Sequence, residues 1–418
     1  MAFFEAHGGR EAREDEAVDI GLVNSCTVTG EAGRKTRQAL RRLRREHPEA
    51  VLAVMGCCSE LEDLSELVDL STGTSGRLQL GEACLEFLEA RRRGMMPPDF
   101  CPETDGEYEE LGVLSKQSES RAQIKISDGC SMHCAYCAIS RARGRVRSRS
   151  REQILEEAKA LLANGHRELV LTATHLSSFE LDKGRDSIAL AELLESLDSL
   201  PGLLNLRLGS LEPASLTPAF IERISGLKTL VPHFHLALQS GSDAVLKRMA
   251  RRYDTRCFRE VASRLREAFD EPFFSTDVMV GFPEETEAEF QESLNFVEAI
   301  GFSRLHVFRY SIRENTPAAR RPQVPAEIAE ERSLRMQALG RELSTRAAAS
   351  RVGKKAVLIV EETLPDSEKP WTFTATSRRY LPAWLRSETV QLQHGSAVLG
   401  TVEASEGERI FVSAERLL

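Results

Sequence analysis

Apolar and polar positions alternate in different ways along the chain. Short apolar runs at residues 19–23 and 51–54 flank a helical pattern at 31–46, which predicts a strand, a helix and a second strand. Further along, six apolar runs recur with helical patterns between them, which predicts six β/α units in a parallel barrel or partial barrel. These runs lie at 124, 169–171, 204–208, 234–238, 273–280 and 305–308.

The last part of the chain has a third pattern. A charged helical pattern at 326–349 is followed, over 352–418, by alternating apolar and polar residues, which is typical of a small β-barrel. Residues 99–119 are polar, contain Pro and Gly, and predict a linker. We therefore expect an α/β protein with three domains. They cover residues 1–98, 120–349 and 350–418.

The composition narrows the class of protein. Hydrophobic residues make up 41% of the 418 residues, and no apolar run approaches the ~20 residues that a bilayer crossing needs. The N-terminal segment lacks an apolar signal core, so we expect a cytoplasmic protein without membrane contact. Nine cysteines in such a chain indicate metal or redox chemistry rather than a disulfide framework. The net charge of −9 disfavours indiscriminate nucleic-acid binding but allows a local basic face.

Three cysteines follow the first predicted core strand with the spacing C-x3-C-x2-C. They are Cys130, Cys134 and Cys137. A structural zinc ion prefers four ligands, commonly in two spaced pairs, and the sequence has no second C-x2-C pair. Three thiolates on one tight loop instead suit three irons of a [4Fe–4S] cluster and leave one iron for another ligand. An iron–sulfur enzyme is the favoured interpretation, and a zinc-containing RNA-binding protein is the alternative.

The cysteine spacing resembles the signature of radical S-adenosylmethionine (SAM) enzymes. Two further motifs, Asn24–Thr29 (NSCTVT) and Met55–Cys57 (MGC), are similar to motifs in the N-terminal domain of the radical SAM methylthiotransferases. Four more motifs continue this likeness over almost the whole core. They are Arg143–Arg149 (RGRVRSR), Gly209–Pro213 (GSLEP), His235–Ser242 (HLALQSGS) and Thr276–Pro283 (TDVMVGFP).

The resemblance implies a flavodoxin-like N-terminal domain, a partial (β/α)6 barrel of the TIM type and a TRAM-like RNA-binding β-barrel. It also implies two [4Fe–4S] clusters and SAM as cofactors. Cys130, Cys134 and Cys137 would hold the cluster that cleaves SAM, and Cys26 and Cys57 would hold an auxiliary cluster. In this family one SAM methylates sulfur at the auxiliary cluster, and a second yields the radical that removes hydrogen from carbon. A low-potential electron donor is therefore expected, and no stable protein partner is inferred.

Residues 26–35 resemble most the branch of the family that acts on N6-threonylcarbamoyladenosine in tRNA. This implies transfer of a methylthio group to carbon 2 of the modified adenosine at tRNA position 37. Two other substrates stay open within the family, namely a ribosomal protein and isopentenyladenosine in tRNA. Those two branches usually differ in the residues that follow the cysteine.

One family element is missing from the sequence. In the family, a first strand carries a third cluster cysteine in a GC-x-x-N setting, and this sequence begins beyond that point. We therefore expect an N-terminally truncated chain whose auxiliary cluster lacks its third ligand. Cys58 is either a substitute thiolate or a packing residue, and the packing role is favoured.

Four side chains are candidates for contact with SAM or substrate. Tyr136 lies between two cluster cysteines and resembles an aromatic residue that packs near the SAM adenine in the superfamily. Core packing is the alternative for this ring. Glu212, Gln239 and Asp277 stand at or near the predicted ends of core strands, where an inward polar residue is costly unless it binds something.

Two basic segments are candidates for RNA binding. Arg34, Arg41 and Arg45 lie on the basic half of the first long helix, whose seven cations have no acids interspersed and repel one another unless phosphates relieve the repulsion. Arg143 and Arg145 belong to arginines that alternate over 141–151 and would lie mostly on one side of an extended segment. A solvated surface is the alternative for the helix. The C-terminal aromatic residues are expected either to stack bases or to pack the small barrel: Trp371, Phe373, Tyr380, Trp384 and Phe411.

Overall fold

The computed structural model describes residues 2–13, 16–27, 30–102, 106–114, 117, 119–388 and 390–418. The chain forms two compact units, and neither is continuous in sequence. The first comprises Met1–Leu111, Gly129–Arg145 and Ser311–Ala319, and the second comprises Gly112–Asp128, Val146–Tyr310 and Arg320–Leu418. Val28 and Thr29, which end the NSCTVT motif, lie outside the described residues. The domain boundaries expected from the sequence stay predictions.

The first unit contains a parallel sheet and several helices. Its strands are β1 (Ile20–Ser25), β2 (Val51–Gly56) and β3 (Leu70–Ser71). Its helices are α1 (Ala2–Ala6), α2 (Gly30–Glu46), α3 (Cys57–Leu61), α4 (Arg77–Arg92) and α5 (Ile139–Arg143). The strand order is β1-β2-β3, so β2 is central and covered on both faces. This position explains why the sequence of β2 is almost continuously apolar and buried.

Helix α2 covers the span that the sequence predicts, beginning one residue earlier. Its buried residues are Gly33, Thr36 and Leu40, which recur at intervals of three or four and therefore share one face. Leu40 packs with Leu52 of β2 in an apolar cluster. The opposite face of α2 carries most of its arginines into solvent.

The second unit contains the core barrel. Its strands are β4 (Arg121–Asp128), β5 (Arg147–Ser148), β6 (Glu168–Ala173), β7 (Asn205–Leu208), β8 (His233–His235), β9 (Phe273–Val280) and β10 (Arg304–Arg309). One sheet has the order β5-β4-β6-β7 and the other has the order β8-β9-β10, and a parallel bridge between Leu211 and Leu236 links them. All strands except β5 run parallel. Within the described ranges no ladder joins β10 to β4, so the barrel is partial.

Helices alternate with these strands, as the β/α pattern predicts. They are α6 (Arg151–Ala163), α7 (Ile188–Asp198), α8 (Pro218–Ser225), α9 (Asp243–Arg248), α10 (Thr255–Ala268), α11 (Glu287–Ile300) and α12 (Ala326–Ala349). One apolar cluster combines the inward residues of the strands with one face of most helices, for example Ile124, Leu193 and Phe258. Among the helices that the structure describes, none is both long and apolar enough to cross a bilayer.

The C-terminal segment is a closed five-stranded barrel. Its strands are β11 (Lys355–Thr363), β12 (Phe373–Ser377), β13 (Pro382–Arg386), β14 (Ala397–Glu406) and β15 (Arg409–Leu417), in the order β11-β12-β13-β15-β14. Leu358, Leu385 and Val412 fill its interior. The expected α/β fold class, with a partial parallel barrel and a small C-terminal β-barrel, is confirmed.

Candidate functional site

The cysteine loop Gly129–Arg145 belongs to the first unit and closes on itself. The backbone N–H of Cys130 donates to the carbonyl of Gly144 over 3.0 Å. Gly129 has a φ of +79°, and a Cβ atom there would lie 1.9 Å from the carbonyl oxygen of Arg145. Because only glycine tolerates both conditions, Gly129 determines how the loop begins.

The three thiols of this loop influence one another. The backbone N–H of Cys137 donates to the carbonyl of Cys134 over 3.0 Å, which makes a tight turn. The sulfur of Cys137 accepts the N–H of Ile139 over 3.4 Å. Burial raises the pKa of Cys137, and the nearby thiols of Cys134 and Cys130 raise it further because like charges repel. A bound cationic centre would reverse this effect and favour the thiolate.

This donor set fits an iron–sulfur cluster. Thiolates are the soft ligands that such clusters use, and hydrogen bonds to sulfur, such as the one to Cys137, are typical of their surroundings. In the described part of the chain, no three His, Cys, Asp or Glu side chains surround one point closely enough to hold a single metal ion. A four-iron cluster does not require that arrangement, since each thiolate binds a different iron.

Cys26 and Cys57 lie at the same end of the N-terminal sheet. The register pairs Ser25 with Gly56, so each cysteine directly follows one member of this pair. Cys26 is exposed, whereas Cys57 is buried at the start of α3. A Cβ atom on Gly56 would lie 2.4 Å from the carbonyl oxygen of Ser25, so glycine allows the two strand ends to approach closely. The structure brings these two cysteines to neighbouring positions, and their role as cluster ligands stays a prediction.

Cys58 belongs to an apolar core. It is fully buried and packs in a cluster with Leu40 and Leu52. Burial, with a smaller contribution from Glu62, raises the pKa of Cys58 to about 11. Complete burial among apolar side chains favours the packing role for Cys58.

Glu212 is buried beyond the end of β7, where its carboxylate forms an ion pair with Arg251. The guanidinium of Arg251 also lies over the ring of Tyr253, 4.9 Å from its centroid. The hydroxyl of Tyr253 in turn donates to the carbonyl of Leu238 over 2.8 Å. Burial raises the pKa of Glu212, and Arg251 opposes this effect. Glu212 therefore has a fixed position. Arg251, its ion-pair partner, is a residue of the site that no feature of the sequence would have identified.

Gln239 and Asp277 meet on neighbouring strands. The backbone N–H of Gln239, a residue with a φ of +65°, donates to the carbonyl of Asp277 over 2.9 Å. The carboxylate of Asp277 lies 3.4 Å from Nε2 of His235, and Nδ1 of His235 lies 3.0 Å from the hydroxyl of Ser275. These contacts orient Asp277 from inside the barrel. Tyr136, the remaining candidate for a SAM contact, is half-buried on the cysteine loop of the first unit.

Two further polar residues lie at strand ends and are not among the candidates from the sequence. Asp128 ends β4, accepts the ammonium group of Lys125 at 2.6 Å and accepts the hydroxyl of Thr174 at 3.0 Å. His175 follows β6 and lies 4.0 Å from the carboxylate of Glu212. A polar residue directly after an apolar run was the available signal, because the carboxyl ends of parallel strands form one face of a barrel.

The basic face of α2 forms an open groove of about 430 Å³, and acidic side chains neutralise part of it. The expectation that its cations lack acidic neighbours is wrong. Arg34 pairs with Glu31 at 2.5 Å, and Arg45 lies 3.8 Å from Glu46. In the described ranges, Arg41 has no ion pair or hydrogen bond, so it is the best placed of the three predicted contacts for a phosphate. The groove is lined by Arg34, Arg37, Gln38, Arg41, Arg42 and Arg45.

The arginines over residues 141–151 do not form one extended basic face, so that expectation is wrong as well. Arg143 ends the short helix α5, and Arg145 is exposed in the segment that follows. Arg149 is buried in an ion pair with Glu157. The alternation is lost because a helix, a two-residue strand and another helix divide the segment. RNA binding by Arg143 and Arg145 stays a prediction.

The C-terminal aromatic residues divide into two groups. Trp371, Trp384 and Phe411 form a cluster on the small barrel, with ring centroids 5.0 Å apart for Trp371 and Phe411 and 5.8 Å apart for Trp384 and Phe411. Arg409 lies 4.1 Å from the centroid of Trp384. Phe373 packs against the interior of the small barrel, and Tyr380 stacks on His233 of the core barrel. The first group is suited to stacking nucleic-acid bases, and the second group packs.

Comparisons with known proteins agree with the fold described above. The radical SAM superfamily matches residues 124–297, and the uncharacterized protein family UPF0004 matches residues 1–73. Among solved structures, a radical S-adenosylmethionine methyltransferase, TsrM from Kitasatospora setae, has a TM-score of 0.55. The match has 15% sequence identity and covers 76% of this chain and 68% of that one, and therefore supports the fold alone.

Curated relatives are considerably more similar in sequence. A Bacillus subtilis (strain 168) protein named threonylcarbamoyladenosine tRNA methylthiotransferase MtaB is 34% identical, over 89% of this chain and 83% of its own length. A Pelotomaculum thermopropionicum protein named tRNA-2-methylthio-N(6)-dimethylallyladenosine synthase is 32% identical, over 85% and 81%. The name of the first relative states that it is a methylthiotransferase, and the name of the second states that it makes a methylthio nucleoside in tRNA. With this degree of similarity over most of both lengths, the chain is an enzyme of the radical SAM methylthiotransferase family.

Proposed function

We propose that this enzyme transfers a methylthio group to carbon 2 of N6-threonylcarbamoyladenosine at tRNA position 37. The observation that carries the proposal is the cysteine loop, which closes through the hydrogen bond from Cys130 to Gly144 and turns tightly between Cys134 and Cys137. The choice of substrate draws support from residues 26–35 and from the relatives named threonylcarbamoyladenosine tRNA methylthiotransferase. Some relatives are named for the dimethylallyl nucleoside, here called isopentenyladenosine, and this nucleoside is therefore the second candidate substrate.

Cys130, Cys134 and Cys137 would hold the cluster that binds SAM, and Cys26 with Cys57 would contribute to a second cluster. When bound, the first cluster supplies the electron that cleaves SAM into methionine and a carbon radical able to remove hydrogen from an unreactive carbon. Hydrogen bonds to sulfur, such as the N–H of Ile139 to Cys137, favour the thiolate form. In this family a low-potential electron donor is needed, and we infer that the enzyme works in the cytoplasm.

Two described surfaces are suited to the tRNA. The groove on α2 offers arginines for phosphates, which position RNA without reading its sequence. The cluster of Trp371, Trp384 and Phe411 offers stacking for unpaired bases beside the cation of Arg409. Glu212, Gln239 and Asp277 are the candidate contacts for SAM or for the target nucleoside in the second unit.

Anaerobic reconstitution with iron and sulfide tests the proposal. The enzyme is given SAM, a strong reductant and an anticodon stem-loop that carries N6-threonylcarbamoyladenosine, and mass spectrometry of the digested RNA reports the product. Because the auxiliary cluster is expected to lack one ligand, the total yield should be low, and we expect more methylthio product with this stem-loop than with one that carries isopentenyladenosine. The reverse preference would establish the second candidate and overturn the first.

A triple variant provides the control for the cluster. Replacing Cys130, Cys134 and Cys137 with Ala should remove the iron-dependent visible absorption of that cluster and all 5′-deoxyadenosine formation. Cys257→Ala is the matched control, since Cys257 lies on α10 and should leave both measurements unchanged. Continued cleavage of SAM by the triple variant would contradict the assignment of these ligands.

A further inference from the structure

Two polar atoms at the carboxyl ends of β6 and β7 have no hydrogen-bond partner in the part of the chain that the structure describes. They are Nε2 of His175 and Oε1 of Glu212. Nε2 of His175 is 4.0 Å from Oε2, the other oxygen of the Glu212 carboxylate. The side chains are 16% and 5% exposed, respectively, so water has little access to either. Buried polar atoms are rarely left unpaired unless they have a function.

Other contacts hold both side chains in place. Nδ1 of His175 lies 2.5 Å from the hydroxyl of Ser178, and Oε2 of Glu212 is bound by Arg251. Burial, together with Arg251 and Arg252, lowers the pKa of His175 to about 4, so the imidazole is neutral at pH 7. The carboxylate of Glu212, 4.0 Å from Nε2, favours the tautomer with the imidazole proton on Nε2, in which the Ser178 hydroxyl donates to Nδ1. The site therefore presents one donor beside one acceptor.

The chemical complement of this pair is a neutral group that has an acceptor next to a donor. A ureido group has both, in its carbonyl oxygen and its N–H. A carboxylate would be repelled by Glu212, and an apolar chain would leave Nε2 and Oε1 unpaired. A site with buried polar groups discriminates strongly against a ligand that cannot pair them.

We propose that His175 and Glu212 bind the ureido group on N6 of the target adenosine and thereby exclude nucleosides with an apolar N6 substituent. Nε2 of His175 donates to the ureido carbonyl, and Oε1 of Glu212 accepts a ureido N–H. This inference rests on the proposed function, because the threonylcarbamoyl substituent carries the ureido group and the dimethylallyl substituent does not. His175 and Glu212 are thus specificity-determining residues.

Substrate competition tests the inference. The reconstituted enzyme is assayed on two stem-loops that differ only in the N6 substituent at position 37, threonylcarbamoyl or isopentenyl, and kcat/KM is measured for each. Equilibrium dialysis measures SAM affinity separately. We expect His175→Leu to reduce the preference for the ureido substrate by about tenfold or more, with SAM affinity unchanged. Glu212→Gln keeps the shape of the side chain and should reduce the same preference.

Ser177→Ala provides the matched control. Ser177 is also buried in the segment that follows β6, and its hydroxyl has no partner in the described residues. This variant should keep the wild-type preference. Where thermal denaturation shows that His175→Leu is not folded, the preference of Glu212→Gln decides the question.

The possible outcomes distinguish a failure of the specificity role from a failure of the proposed function. An unchanged substrate preference in both variants would overturn the specificity role, and so would a loss of SAM affinity with the preference intact, since the pair would then serve SAM. Wild-type enzyme that modifies only the isopentenyl stem-loop would overturn the proposed function itself. Wild-type enzyme that prefers the ureido substrate, with variants that lose this preference, would support both.

Discussion

Glu289 has two roles at the start of α11. Its carboxylate accepts the backbone N–H of Thr286 over 2.8 Å, and the hydroxyl of Thr286 accepts the N–H of Glu289 over 3.3 Å, which makes a capping box. Arg248 donates to both carboxylate oxygens, over 2.8 and 2.7 Å. These bonds, above all those from Arg248, lower the pKa of Glu289 to about 2.

We predict a pH-dependent loss of stability in Glu289→Gln. Because the folded state lowers this pKa, the carboxylate stabilises the protein above the unfolded pKa of about 4.5, and this stabilisation is lost as the pH falls toward about 2. At pH 7 the variant should lose about 1–2 kcal/mol of unfolding free energy, less than full linkage predicts because solvent screens the pair. Urea denaturation at several pH values measures this difference.

The difference in unfolding free energy between the wild-type protein and Glu289→Gln should shrink steadily from pH 4.5 to pH 2. Glu260→Gln is the control, since Glu260 is half-exposed and lies 3.3 Å from Arg256 in an ordinary surface pair. That substitution should cost less than about 0.5 kcal/mol. A constant effect of Glu289→Gln across the pH range would show that the charge of Glu289 is not the cause.

At the scale of elements, α2 combines a buried face with a basic face. Gly33, Thr36 and Leu40 are its buried residues, so the arginines lie toward solvent and line a groove. Five of the seven cations of α2 have acidic partners within 4 Å, and this reduces but does not remove the positive charge of the face. We therefore expect phosphates to bind at the few cations without close acidic partners, such as Arg41, rather than along the whole helix.

We predict that Arg34, Arg41 and Arg45, replaced together by Gln, weaken tRNA binding and flatten its salt dependence. Each lost contact with a double-helical phosphate should reduce the slope by up to about 0.9 log unit, because fewer counterions are released. Fluorescence anisotropy over a range of salt concentrations gives the slope. Arg256, Arg259 and Arg264, exposed on α10, provide a matched triple control that should leave the slope unchanged. An unaltered slope in the α2 variant would show that the basic face of α2 is an ordinary solvated surface that does not bind tRNA phosphates.

At the scale of the second unit, Tyr380 attaches the small barrel to the core barrel. Its ring stacks on His233 with centroids 4.9 Å apart, and the guanidinium groups of Arg207 and Arg121 lie 4.9 and 5.4 Å from its centroid. Arg207 also donates to the carbonyl of Ser377 over 3.3 Å. This attachment holds the aromatic surface of the small barrel at a fixed place on the core barrel.

We predict that Tyr380→Ala lowers the free energy of unfolding by about 2–4 kcal/mol, because it removes ring packing and several cation–π contacts. Chemical denaturation with separate probes in the two barrels should show the small barrel separating first. Phe308→Ala is the control, since Phe308 is 46% exposed and its loss should have little effect. Unfolding of both barrels in one unchanged transition would contradict a role for Tyr380 in their attachment.

The amino-acid sequence determined the elements and the chemistry that depend on local pattern. Helix α12 has the predicted bounds, and each of the six predicted core strands is present, because helical and strand periodicities act over neighbouring residues. Spacing alone identifies the cysteine triplet, because its three cysteines share one short loop. Strand β3 was not predicted, because two residues are too few to show a period.

Only the tertiary structure decided which distant side chains meet. Arg149 pairs with Glu157 in the interior instead of facing RNA, and Arg34 finds Glu31, so the apparent excess of positive charge in these segments is partly neutralised. His175 approaches Glu212 because β6 and β7 are adjacent in the barrel and place their following residues on the same face. Such partnerships depend on strand order and side-chain burial, and a linear pattern of residues contains neither.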